Sequence, residues 1–203
     1  MDPGLIRMSG AISSCGFASG DRFVVGRWDR SPIGSTIDVM WARPDGTRVL
    51  LAPDQATADF VTSVYRFDEV RVVDITFDAT ADTLRLEAGP LRLHLAAGPA
   101  VLWLPRRPLW FTRWVERPFA YLLMRVRTWG TSPTGVQEWY QAESCRFVRT
   151  ASASIDGVDL GARAQLSPAC GFGFSESPRW PSIVRVRPTL RLPARSAGPA
   201  SRH

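Results

Sequence analysis

Apolar and polar residues alternate with a period of two in parts of the chain, most clearly over residues 183–192, which is the pattern of half-buried β-strands. Residues 22–28 and 33–43 are predicted strands, and residues 47–52 pair back after Pro44-Asp45-Gly46. In that tripeptide Pro presets φ and Gly supplies a positive φ, so the two runs around it are a predicted hairpin. Its first strand carries Ile37, Val39 and Trp41 on one face and Thr36, Asp38 and Met40 on the other.

The same pattern predicts further strands around one short helix. The helix covers residues 54–65, with Asp54 as its N-cap and with Phe60 and Val64 on one face. Strands are expected at residues 67–77, 83–87, 91–95, 125–129, 136–155 (one bent strand or two) and 183–192. Within the last of these, Pro188 indicates an edge strand or a bulge, because proline cannot donate to the hydrogen-bond ladder.

Residues 99–124 depart from this pattern. They are rich in Trp, Phe and Leu, and Pro105, Pro108 and Pro118 divide them into short pieces. At helical spacing the arginines share one face and the aromatic residues lie opposite, which predicts one or two short helices. We expect them to form a lid over a barrel mouth. An alternative role for residues 103–127 is peripheral contact with an anionic membrane.

These elements predict a mainly β (α+β) fold. We expect an antiparallel β-barrel or strongly curved sheet of about nine strands, with two or three short helices forming a lid. The chain shows no regular strand–helix–strand alternation, no internal repeat and no long linker. The predicted organisation is a flexible N-terminal arm at 1–19, a single β-rich domain at 20–192 and a flexible C-terminal tail at 193–203.

The composition excludes several classes of chemistry. The chain contains no lysine and no asparagine, so all 25 basic residues are arginine. Schiff-base catalysis and the phosphate-binding lysines of nucleotide sites are therefore ruled out. The net charge of +6 belongs to the C-terminal part, because six arginines follow the last acid, Glu176, and the remaining 19 balance the 19 acids.

Cysteine and histidine usage predicts neither a metal site nor a cofactor. Cys15, Cys145 and Cys170 are odd in number and far apart, and the chain has two histidines, one of them at its last position. This usage favours free thiols in a reducing compartment. No positively charged segment precedes a long apolar run, so no signal peptide is predicted. We expect a cytoplasmic protein, either free or peripheral at the inner membrane face.

A set of polar side chains occupies one face of two neighbouring predicted strands. Arg85 and Glu87 lie on the first strand, and Arg92 and His94 lie on the second. If the leucines on the opposite face fill the core, these groups are solvated; if the groups line a cavity, they supply an acid, a base and cations. Both interpretations fit the sequence.

The leading hypothesis is the binding of a hydrophobic or amphipathic small molecule, such as a lipid, in a barrel cavity. Arg85 or Arg92 would hold an acidic head group. The apolar wall or lid would come from the tryptophans Trp28, Trp41, Trp103, Trp110, Trp114 and Trp139.

Two alternatives remain open. The first is an enzyme on the same scaffold that performs acid/base chemistry such as isomerisation, hydration or cyclisation, with Glu138, Tyr140 and His94 as catalytic candidates. The second is a binder of nucleic acid or of an acidic partner through Arg185, Arg187 and Arg191. Nucleic acid is the least favoured partner, because residues 1–176 are neutral overall and aromatic residues do not interleave with these arginines.

Three segments carry a resemblance to other proteins. They are DVMWARPDGTRVLLAP, VRTWG with the following GVQEWY, and SPRWPSIVRVRP. They resemble segments of uncharacterised proteins from high-GC actinobacteria. This resemblance implies no activity, ligand or site residue.

Overall fold

The computed structural model describes residues 5–103, 129–131, 137–173 and 176–191. The N-terminal half contains β1 (Leu5–Arg7), β2 (Ser9–Phe17), β3 (Arg22–Arg30), β4 (Thr36–Ala42), β5 (Arg48–Ala52), α1 (Gln55–Val64), β6 (Glu69–Val72), β7 (Ile75–Ala79), β8 (Thr83–Ala88) and β9 (Leu91–Trp103). The C-terminal half contains β10 (Trp129–Thr131), β11 (Gln137–Ile155), β12 (Val158–Asp159), β13 (Arg163–Ala164) and β14 (Ser182–Arg191).

All of these strands belong to one sheet, which is strongly curled into an open half-barrel. Its main path runs β6-β5-β4-β3-β2-β14-β11-β9-β8-β7, with β1, β10, β12 and β13 attached beside it. Every pairing is antiparallel except that of β5 with β6, which α1 connects. The predicted fold class is confirmed. The described residues contain more strands than the nine expected, and one helix rather than two or three.

The two edges of the sheet are joined by only two residues. β6 forms one edge and β7 the other, and Val73 and Asp74 are the whole connection between them. The Val73 N–H donates to the carbonyl of Ala52 on β5, at 2.9 Å. The Asp74 carbonyl accepts from the N–H of Gly89, which lies between β8 and β9, at 3.2 Å. The sheet must therefore curl until its first and last strands meet at this corner.

The inner face of the curled sheet is filled by side chains. Residues from β2–β5 meet residues from β8, β9 and β11, so that both halves of the sheet contribute to one apolar core. Its most deeply buried members include Cys15, Phe23, Val25, Val39, Val49, Leu51, Ala88, Leu91 and Leu95. The expected alternation of leucines on β8 and β9 is confirmed, because these leucines face this core.

The outer face of the sheet is covered by α1. Asp54 caps the helix as predicted, and its Oδ1 accepts from the N–H of Thr57 at 2.7 Å. Val61 and Val64 of α1 are buried against outward-facing residues of β3, β4 and β14. A helix that crosses between two parallel neighbouring strands has to lie on one face of their sheet, and this one buries the outer face.

Several local predictions are confirmed. The hairpin around Pro44-Asp45-Gly46 forms from β4 and β5, and Gly46 has a φ of 90°. Asp156 and Gly157, which follow β11, both have positive φ. The stretch expected at residues 136–155 is one long strand, β11, which bulges at several positions where its register shifts.

Other predictions are wrong. The flexible arm expected at 1–19 is wrong for residues 5–17, which contain β1 and β2, because β2 is an interior strand between β3 and β14. The strand expected at 67–77 is two strands on opposite edges. Residues 99–103 continue β9 instead of starting the lid of 99–124, whose remaining part lies outside the described residues, as does the tail at 193–203.

Pro188 does not mark an edge strand. β14 lies between β2 and β11, and Pro188 sits where its neighbour changes from β2 to β1. The Pro188 carbonyl accepts from the N–H of Met8 at 2.9 Å. The missing N–H of proline therefore falls at a junction between two partner strands, which is an interior position that its chemistry tolerates.

The place of β2 in the sheet predicts the effect of one small substitution. A Cβ atom on Gly10 would lie 2.0 Å from the backbone oxygen of Arg27. Gly10→Ala should therefore lower the free energy of unfolding by about 2 kcal/mol or more, measured by urea denaturation. Gly98→Ala is the matched control, because there the obstacle is the movable end of the Arg149 side chain. Equal, small effects at both positions would contradict the position of β2.

Candidate functional site

The predicted polar face of β8 and β9 exists, and it lies on the outside of the half-barrel. Arg85 pairs with His94 and Glu87 pairs with Arg92 across the two strands. Together with residues of β11 and β12 they line an open groove of about 360 Å³. The side chains of Arg92 and Glu87 are 71% and 64% exposed, and their closest charged atoms are 3.6 Å apart. Arg85, Glu87 and Arg92 are exposed and His94 is half-buried, so this polar face is open to solvent.

The three acid/base candidates do not converge. Glu138 and Tyr140 lie on β11 beside Leu190 and Pro188 of β14. His94 on β9 pairs with Ser152, which is fourteen residues further along β11 than Glu138. At a rise of about 3.3 Å per residue, this separates the two ends of the set by roughly 40 Å of strand. One active site cannot contain both Glu138 and His94.

The tryptophans expected to form a ligand wall are dispersed. Trp41 belongs to the inner core, where its Nε1 donates to Asp21 Oδ1 at 2.7 Å and its ring stacks on Phe23. Trp139 is half-buried, with the Arg191 guanidinium 5.9 Å from its ring centre. Trp103 is the last residue of β9, and Trp110 and Trp114 lie outside the described residues.

The arginines of β14 have acidic neighbours. Arg185 lies 3.2 Å from Asp29 and 3.4 Å from Glu143, and Arg187 also pairs with Glu143. The negative charges of Asp29 and Glu143 thus offset the positive charges of Arg185 and Arg187, which are two of the three arginines proposed to bind a polyanion. These side chains share the face of Ile183, whereas Val184 and Val186 pack on the helix-covered face.

A different site appears between α1 and the outer face of the sheet, and we call it the α1 pocket. It is almost entirely apolar and contains one carboxyl group, that of Asp38 on β4, which is 1% exposed. Trp28 Nε1 donates to Asp38 Oδ1 at 3.0 Å, and no group among the described residues donates to Oδ2. The lining residues are Met8, Trp28, Asp38, Met40, Phe60, Val61, Val64, Tyr65, Pro188 and Leu190.

Gly26 makes room for the paired Trp28 and Asp38. It lies opposite Asp38 in the ladder of β3 and β4. A Cβ atom at this position would lie 2.7 Å from Asp38 Oδ1 and 2.9 Å from Trp28 Nε1. The close approach of both side chains to the backbone thus explains why this strand position has no side chain of its own.

Burial controls the protonation of Asp38. It raises the pKa of the carboxyl to about 7, although the hydrogen bond from Trp28 acts in the opposite direction. None of the described side chains that line the α1 pocket is basic, and Tyr65 is the one other titratable residue among them. Near neutral pH the carboxyl therefore exchanges between its two protonation states, and Oδ2 has no hydrogen-bond partner among the described residues.

The α1 pocket is nearly closed. Its cavity of about 20 Å³ has room for one group the size of a water molecule. Met8 and Met40 form part of its wall, and the unbranched methionine side chain adapts readily to the shape of a neighbour. The site can thus hold a small hydrogen-bonding group as it stands, and a longer tail requires these side chains to move aside.

Other chemistry is poorly represented among the described residues. Burial raises the pKa of Cys15 and Cys170 to about 12 and that of Cys145 to about 11, so these thiols are not nucleophiles at neutral pH. No three His, Cys, Asp or Glu side chains of the described ranges are grouped as a metal ion needs. Within the same ranges, no helix has the length and apolar character required to cross a membrane.

The Asp38 site was missed at the level of sequence. Alternation along β4 places Asp38 on the face opposite Ile37 and Val39, but the pattern does not show whether that face is buried. The available signal was the helix that follows the hairpin, since a helix packed on this face would bury Asp38 together with Met40.

The chain matches no protein-family model, and neither a curated protein nor a solved structure is significantly similar to it.

The pKa of Asp38 predicts a specific pH dependence of stability. An unfolded Asp has a pKa near 3.9, so the folded protein binds one additional proton between about pH 4 and pH 7. The stabilisation is complete below this window and is lost as the pH rises through it. Relative to the wild type, Asp38→Asn should gain on the order of a few kcal/mol of unfolding free energy between pH 4.5 and pH 8.

Urea denaturation of both proteins across this range measures the difference. Comparing the two cancels the titration of every other carboxyl group. Asp59→Asn, on the exposed side of α1, is the control and should differ from the wild type by a constant amount. A difference for Asp38→Asn that does not change with pH would show that the carboxyl titrates normally.

Proposed function

We propose that the protein binds a small amphipathic molecule in the α1 pocket. The apolar part of the ligand contacts the methionine, aromatic and aliphatic side chains of the wall, and its polar end contacts Asp38. The observation that carries this proposal is the unpartnered Oδ2 of a fully buried carboxyl inside an otherwise apolar pocket. Buried polar groups in proteins nearly always have partners, so this exception calls for one.

The energetics favour a ligand with a hydrogen-bond donor. A buried acceptor without a partner costs about 1–3 kcal/mol. A donor that reaches Oδ2 recovers this cost on binding, in addition to about 25 cal/mol for each Å² of apolar surface removed from water. A purely apolar ligand would leave the carboxyl oxygen unsatisfied, and a purely polar ligand would gain little from the walls.

The site lies outside the half-barrel, not in a central cavity. Side chains from both halves of the sheet form the apolar core on the inner face, and the α1 pocket lies on the opposite, helix-covered face. With about 20 Å³ available, the ligand is small, or its tail enters as Met8 and Met40 move aside. All three thiols are free and buried, which favours a reducing compartment such as the cytoplasm.

Binding is favoured over catalysis at this site. Acid/base turnover requires groups that can take and return a proton at two points of the substrate. Among the described side chains that line the α1 pocket, Asp38 has Tyr65 as its one titratable companion, and His94 lines a different part of the surface.

Short four-carbon probes test the proposal. Proteins labelled with ¹³C at the methionine methyl groups are titrated with n-butylamine, 1-butanol and butanoate, and NMR follows the methyl signals of Met8 and Met40. At least one probe should shift both signals saturably. We expect a millimolar dissociation constant, because the amine and the alcohol each have only five non-hydrogen atoms with which to contact the protein.

A cavity-filling variant locates the binding. Val61→Ile adds one methyl group to the wall and should weaken binding about fivefold or more. Val70→Ile makes the same change at an exposed position of β6 and should leave the affinity unchanged. If none of the three probes moves the Met8 and Met40 signals saturably, the proposed function is wrong.

A further inference from the structure

Within the part of the chain that the structure describes, the buried carboxyl of the α1 pocket has no basic partner. Arg27 is the nearest basic residue along β3, but it pairs with Ile37 in the ladder and points to the opposite face from Asp38. No residue of α1, β4 or β14 that lines the pocket is basic. The ionised carboxylate is therefore compensated only by the hydrogen bond from Trp28.

The walls around this carboxyl suit a positive charge. Trp28, Phe60 and Tyr65 supply three aromatic rings, and such rings attract cations through the negative potential of their faces. Met8 and Met40 add polarisable sulfur atoms. A carboxylate among aromatic rings is the combination that recognises ammonium groups.

Water is a weaker occupant than an ammonium group. A buried water is well held when it has two to four polar partners. The α1 pocket offers it one unpaired carboxyl oxygen, Oδ2, and mostly apolar walls. An ammonium group gains the hydrogen bond to Oδ2 and also the attraction of opposite charges, and hydrogen bonds between charged groups are about twice as strong as neutral ones.

We propose that the polar end of the ligand is an organic ammonium group, which pairs with Asp38 through Oδ2 while the apolar part of the same molecule packs against Met8, Met40 and the aromatic rings. This inference rests on the proposed function and names its ligand class. Carboxylates and phosphates fit this site poorly as head groups, because the described side chains present a carboxyl and no basic group to them.

Protonation links this binding to pH. The cation binds the ionised form of Asp38, so a proton leaves the protonated carboxyl when the ligand enters. The affinity for an amine should rise from pH 5.5 to pH 8, and it should fall again only where the amine itself loses its proton, near pH 10. Tyr65 is the one other titratable side chain among the described residues that line the pocket.

The four-carbon probes distinguish this inference from the proposed function. At pH 8, n-butylamine should bind at least about tenfold more tightly than 1-butanol, a difference of about 1.4 kcal/mol, and butanoate should not bind. Asp38→Asn should reduce the affinity for the amine to that for the alcohol, and it should change the affinity for the alcohol less than about twofold. Asp59→Asn is the matched control and should bind the amine as the wild type does.

The outcomes separate cleanly. Equal binding of alcohol and amine, or amine binding that survives Asp38→Asn, overturns the ammonium assignment and leaves an amphipathic ligand in place. The absence of binding by all three probes overturns both proposals. If Asp38→Asn does not fold, the wild type alone decides: amine affinity that fails to rise by about tenfold from pH 5.5 to pH 8 also overturns the assignment.

Discussion

The two-residue connection between opposite edges of the sheet determines the shape of the molecule. Val73 bonds to β5 and Asp74 to the turn between β8 and β9, so the first and last strands of a ten-strand path are held at one corner. A sheet tied in this way cannot remain flat, and its natural twist accommodates the curl. Its inner face then meets itself, and the residues there become one apolar core.

The location of the candidate site follows from this curl. The inner face carries the apolar core, and the α1 pocket forms on the opposite face. The connection from β5 to its parallel neighbour β6 carries α1 across that face, where Val61 and Val64 bury Met40 and Asp38. The same helix that completes the outer core thus places a carboxyl under cover. The site is a by-product of the crossover that parallel pairing requires.

Sequence patterns predicted the elements whose causes are local. The hairpin depends on Pro44 and Gly46, and the start of α1 depends on Asp54; each acts within a few residues. The position of β2 could not be predicted in this way. Its Ser, Gly and Ala residues are typical of a loose arm in sequence. The structure needs small side chains there, because a Cβ atom added to Gly10 would lie 2.0 Å from the Arg27 carbonyl oxygen.

The candidate site was predictable in part for the same reason. A period of two assigns residues to faces, and it grouped Arg85, Glu87, Arg92 and His94 correctly. It does not say which face a helix will cover, because that depends on pairing between distant strands. The polar face of β8 and β9 therefore stays in water, while the polar residue of β4 is buried.

Two Trp–Asp pairs within the fold show what is missing at Asp38. On the inner face, Asp21 accepts from Trp41 with Oδ1 and from the hydroxyl of Ser19 with Oδ2, at 2.7 Å each. On the outer face, Asp38 accepts from Trp28 with Oδ1, and no serine or other donor of the described residues reaches Oδ2. Both oxygens of the first carboxylate, that of Asp21, thus accept hydrogen bonds from the chain itself, which stabilises the fold.

Burying the second carboxyl, that of Asp38, lowers the stability of the fold, and the described contacts of the chain do not offset this loss. Replacing a buried polar group of this kind by one that fits its surroundings is often neutral or stabilising, so packing alone does not account for Asp38. The Oδ2 atom of Asp38, which has no hydrogen-bond partner among the described residues, lies beside aromatic rings, adaptable methionines and a cavity. These are the elements of a binding site. The donor that completes Asp38 is therefore best sought outside the chain, in a molecule that brings its own positive charge.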